Sequence, residues 1–144
     1  MFYSNQVSDT RKLFFISWEK FRKQEPMLPL EQQIAAVICD HPEYHSILEA
    51  SQPENDSAYF PEMGETNPFL HMGLHLAIRD QISTNRPLSI TQTYQDLLKR
   101  YGNALDVEHL MMENLAECLW KAQRNHNMPN EMEYLHSCRD LLNP

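Results

Sequence analysis

Three pairs of residues carry ligand chemistry at one-turn spacing. They are His41 and His45 in HPEYH, His71 and His75 in HMGLH, and His109 and Glu113 in EHLMME. Residues four apart share one face of a helix, so each pair can aim two donor atoms at one point. Imidazole suits iron, zinc, copper and nickel, and a carboxylate adds a hard oxygen. Seven histidines scattered over 144 positions would give roughly 0.3 HxxxH pairs. Two are present, which exceeds chance. The spacing predicts that at least three of His41, His45, His71, His75 and His109 meet around one divalent ion, zinc or iron. Metal–nitrogen bonds of about 2.0–2.2 Å would form, with Glu113 adding an oxygen. Glu117, one turn further on, is a further ligand or an acceptor behind one. Glu117 or Glu43 is the candidate base if the ion activates water.

Other residues invite plainer readings. His126 and His136 sit near expected helix ends in polar surroundings and read as solvated. Met63, Met72, Met111 and Met112 read as core filler rather than a copper box. There is no Gly-rich phosphate loop, no GxSxG and no HExxH.

Helices must position the pairs. In NPFLHMGLHLAIRDQI, Asn67 suits an N-cap and Pro68 a first helical position. His71, His75, Ile78 and Ile82 fall within roughly 60° of one another at 100° per residue. Phe69, Leu70, Leu74, Leu76 and Ala77 cover most of the rest, which predicts a buried helix. A first helix is expected from Ser8 or Asp9 to about Gln24, with Leu13, Phe14, Trp18 and Phe21 inward. A second spans Leu30–Cys39, with Leu30, Ile34, Val37 and Ile38 inward. HPEYHSILEA is a short helix capped by Asp40, or a kinked continuation of the second.

Ser51–Thr66 is a polar, proline-bearing loop, expected to be mobile and to join two of the metal-candidate elements. Ser89 or Thr91 starts a helix to Arg100, closed by Gly102. Leu105–His126 is the longest, with Met111, Leu115, Cys118 and Ala122 on one apolar side and Met112, Ala116 and Trp120 on another. Asn130 begins a last helix to about Leu142. No strand alternation and no solenoid repeat stand out. The expected fold is all-α, a compact bundle of five to six helices in a single domain over residues 1–144.

Bulk properties narrow the partners. The chain has a hydrophobic fraction of 42% and a net charge of −8, with no Lys/Arg run. It should fold, and nucleic acid or an anionic membrane is not the expected partner. No stretch approaches the roughly 20 apolar residues of a membrane span. The N-terminus lacks signal-peptide character. Cys39, Cys118 and Cys138 are odd in number and widely spaced, which suits free thiols in a cytoplasm.

NPFLHMGLHLAIRDQ, with HPEYH upstream and EHLMMENLAECLWKAQR downstream, resembles the bacterial domain-of-unknown-function family 1841. The resemblance runs from about Phe14 to Leu141 and implies a small bacterial cytoplasmic protein of unassigned role. The ligand inventory is also similar to that of hemerythrin, a four-helix bundle holding two irons with five His and two carboxylates. The motif order departs from it: HxxxH, HxxxH, HxxxE here, with no HxxxxD. DinB-like bundles, similar in using three His, are matched by ingredients in the same way.

Two functions compete. One is a metalloprotein with an open coordination position, acting as a hydrolase or in iron and oxygen chemistry. The other is a non-catalytic interaction module, binding a protein partner or a second copy, whose histidines are structural or a pH-responsive element. Residue types alone leave open whether the chain is an enzyme.

Overall fold

The computed structural model describes residues 2–50 and 67–144, with side chains from Thr10 to Glu49 and from Asn67 onward. Ser51–Thr66 lies outside the described residues, as does Met63. The fold is all-α: seven α-helices and one 3₁₀ turn, with no strand among the described residues. The helices are α1 (Phe2–Lys23), α2 (Pro29–Cys39), α3 (His45–Ala50), α4 (Pro68–Thr84), α5 (Ile90–Tyr101), α6 (Ala104–Arg124) and α7 (Glu131–Asp140). The 3₁₀ turn is Pro42–Tyr44. The chain divides into two compact units, Met1–Leu76 and Ala77–Pro144, and the division falls inside α4.

In the first unit, Phe14, Phe15, Trp18, Ile34, Val37, Ile38, Leu48, Phe69 and Met72 form the core. Phe14 and Phe69 meet edge to face with centroids 5.8 Å apart, within the favoured range for aromatic pairs. Helix α1 begins at Phe2, ahead of the expected Ser8 or Asp9. Phe21 is not inward but 44% exposed, lying flat on Trp18. The expected inward Leu30 is exposed as well, and Glu31 is buried in its stead. The cause is local. The Glu31 carboxylate accepts the Leu28 backbone N–H at 2.8 Å and pairs with Lys20 Nζ at 2.9 Å. A buried carboxylate so satisfied is tolerated, and it fixes the rotation of α2. These two partners, the Leu28 amide first, hold the Glu31 carboxyl below its usual pKa.

HPEYHSILEA forms the 3₁₀ turn and α3, apart from α2, which brings the α-helices among the described residues to seven rather than five or six. Pro42 disfavours a helical conformation at His41, whose φ is −128°. Asp40 ends α2 rather than capping the next segment.

In the second unit, Ile78, Ile90, Leu97, Val107, Met111, Tyr134 and Cys138 are buried. Gly102 closes α5 with φ 79°, a left-handed conformation that glycine adopts freely. Asn103 caps α6 and Asn130 caps α7, each side chain accepting a backbone N–H three residues on. Ala116 and Trp120 do not form a second buried face of α6. Trp120 is 56% exposed, and the Arg124 guanidinium lies 5.1 Å from its ring centroid. A cation over an indole is favourable in water, so the ring need not enter the core. The Tyr134 hydroxyl donates to Gln81 Oε1 at 2.6 Å, and burial pushes its pKa far up.

Candidate metal centre

Helix α4 starts as its sequence dictates. Asn67 Oδ1 accepts the N–H groups of Phe69 and Leu70 at 2.9 and 3.3 Å, and Pro68 follows it. Of its residues only Leu70, Asp80, Ser83 and Thr84 are exposed. Met72, His75 and Ile78 are fully buried, and His71 is half-buried. The i, i+4 spacing brings the two imidazoles together, with Nε2 of His75 3.2 Å from Nε2 of His71.

His41 reaches the same place from the end of α2 and is buried. Its ring centroid lies 4.6 Å from that of His75 and 5.2 Å from that of His71. The His71–His75 separation is 4.8 Å, and all three ring planes cross steeply, at 63–79°. His41 Nδ1 lies 2.8 Å from the Val37 carbonyl. A carbonyl can only accept, so Nδ1 carries the proton and Nε2 keeps its lone pair. A backbone acceptor behind the ring is the usual way a metal-ligating histidine is oriented.

These dimensions fit an ion. Tetrahedral bonds of about 2.0–2.1 Å would place ligand nitrogens ~3.3 Å apart and imidazole centroids ~5 Å apart. The three side chains each offer a nitrogen within 4.8 Å of the others. The donor set of this unit is all imidazole, which suits zinc, iron, copper or nickel and not magnesium or calcium.

His45 is placed differently. Its Nε2–H donates to the Ile38 carbonyl at 2.7 Å, and its ring packs on Trp18 at 4.5 Å. Trp18 Nε1–H in turn donates to Glu49 at 3.1 Å. His109 and Glu113 lie on α6 in the second unit, both exposed. Glu108, beside His109, is buried and accepts Arg79 Nε at 3.1 and 3.2 Å. Glu43 and Glu117 are exposed, Glu117 standing 3.9 Å from Lys121. His126 follows the end of α6 and His136 lies within α7, both exposed. Met72, Met111 and Met112 are core residues.

Residue spacing alone overlooked Tyr44. Its ring lies parallel to His41, at 7° and 5.7 Å, and edge-on to His71 at 6.3 Å. Burial first, then Glu43, raises its phenol pKa, so it is not a phenolate at neutral pH. Its place between the two histidines of HPEYH was the available signal.

Fold and cluster together define an all-α protein with a three-histidine nitrogen cluster on α4 and the α2 terminus. A protein-family model described as "Domain of unknown function (DUF1841)" matches residues 6–140, nearly the whole chain. The chain belongs to that family. No curated protein and no solved structure matches it. No helix among the described residues is long and apolar enough to cross a membrane.

Proposed function

We propose that this chain is a metal-binding protein, holding a divalent zinc or iron ion through Nε2 of His41, His71 and His75. The observation that carries the reading is the 3.2 Å approach of two Nε2 atoms, one on a fully buried ring, with a third imidazole against both. His109 is the proposed fourth ligand. It is the histidine of the third one-turn pair, in EHLMME. With zinc, four imidazoles make a closed, structural site. With iron, a larger coordination number leaves positions open, and Glu113 is then the proposed oxygen donor. An ion with an open position supplies Lewis acidity and a water of lowered pKa, which is what a hydrolase or an oxygen-related protein would use.

A second reading rests on a separate observation. His41 and His45 both donate to carbonyls of the last turn of α2, as groups near a helix C-terminus commonly do. In that version the histidines are structural and the helices serve a protein partner or a second copy.

The test is elemental analysis, with an absorbance spectrum, of untagged protein purified without a nickel column. Stoichiometric zinc or iron is expected, lost in His71→Ala and His75→Ala. If the His109→Ala variant keeps the ion but gains anion binding, His109 was closing the site. Metal-free protein that also refuses added zinc and iron would leave the structural reading.

A further inference from the structure

The two ligands that are easiest to misplace are His41, which lies outside any α-helix, and His71, which is only half-buried. Both touch Tyr44. The backbone explains why. His41 is the N-cap of the 3₁₀ turn, and the Tyr44 N–H donates to the His41 carbonyl at 2.9 Å. The turn closed by this bond brings residues 41 and 44 together, and the phenol ring lies parallel to the imidazole at 5.7 Å. The same ring then presents itself edge-on to His71 on α4, at 73°. One aromatic side chain thereby limits the rotation of two imidazoles from two different elements.

We propose that Tyr44 is a positioning residue of the histidine centre, holding His41 and His71 in the ligating orientation before an ion arrives. The inference rests on the metal reading above. It assigns the effect to the ring and not to the hydroxyl. Backing groups of this kind typically change metal affinity by about 10–100-fold when removed, because the cost of ordering the ligands then falls on binding.

The experiment is titration of the purified full chain with Co²⁺, followed by visible absorption, and with Zn²⁺ in competition with a chromophoric chelator. Tyr44→Phe keeps the ring and is expected to bind within about twofold of the parent. Tyr44→Leu keeps apolar bulk without a flat face and is expected to bind about tenfold more weakly, with shifted cobalt bands. Circular dichroism checks that helix content is retained, and Tyr44→Met serves if the leucine variant loses it. If Tyr44→Leu, or Tyr44→Met in its place, binds as the parent does with unchanged bands, the positioning role is wrong and the metal reading stands. A tenfold loss in Tyr44→Phe also overturns it, since the hydroxyl would then be responsible. A parent chain that takes up neither ion overturns the metal reading itself, and this inference with it.

Discussion

His75 has no exposure to water, and its Nε2 faces that of His71 at 3.2 Å. Without an ion, one ring donates a proton to the other, and that neutral hydrogen bond contributes about 1 kcal/mol. With an ion, several bonds depend on each ring. His75→Ala is therefore expected to release metal and to lower unfolding free energy by more than about 1 kcal/mol, read by chemical denaturation of the metal-loaded protein. A loss no larger than that, equal with and without metal, would speak for the hydrogen bond alone. His45 gives the opposite expectation. Its bond to Ile38 and its contact with Trp18 lie apart from the cluster. His45→Ala should cost about 1–2 kcal/mol and leave metal stoichiometry unchanged. Loss of stoichiometry on that substitution would make His45 a ligand after all.

At the scale of elements, the start of α4 was fully legible. Asn67-Pro68 marks a helix N-terminus, and the asparagine side chain accepts two of the first free N–H groups. Asn67→Ala should cost about 1 kcal/mol, measured by thermal or chemical unfolding; no change would mean that packing alone sets the helix start. The one-turn pairing of His71 and His75 was legible for the same reason, since helical periodicity fixes it. The rotation of α2 was not legible. Leu30 is apolar and Glu31 charged, and the Leu28 amide together with Lys20 reverses their expected places. Trp120 misled likewise, because a cation on its own helix covers it. HPEYH looked like a helical pair, yet Pro42 breaks the helix between its histidines. His41 then turns to the cluster and His45 to Trp18.

At the scale of the whole molecule, acid and metal should act separately. The Glu31 carboxyl is held below its usual value by the Leu28 amide and Lys20. A carboxyl depressed in the folded state adds stability that is fully present above about pH 4.3. That stability is lost as pH falls through the lower folded value. Melting of metal-free protein should accordingly drop more steeply below that pH in the parent than in Glu31→Gln; parallel curves would remove Glu31 as a cause. Metal should act at neutral pH. An ion at a hundredfold its Kd stabilises by about 2.7 kcal/mol, which raises Tm by on the order of 5–10 °C in a chain of this size. Chelator should reverse the rise in the parent and do little to His75→Ala. The fold class and the closeness of three of the candidate histidines were accessible from spacing, whereas the acceptor behind His41 and the ring beside it depend on how the chain turns at Pro42.

X-ray absorption at the metal edge of the loaded full chain reads the donor atoms themselves. A first shell of three or more nitrogens at about 2.0–2.2 Å, with the outer-shell scattering of imidazole rings, is the expected result, and it should lose imidazole scattering in His71→Ala. A first shell of oxygen alone, or of sulfur from Cys39, Cys118 or Cys138, would contradict a centre built from His41, His71 and His75.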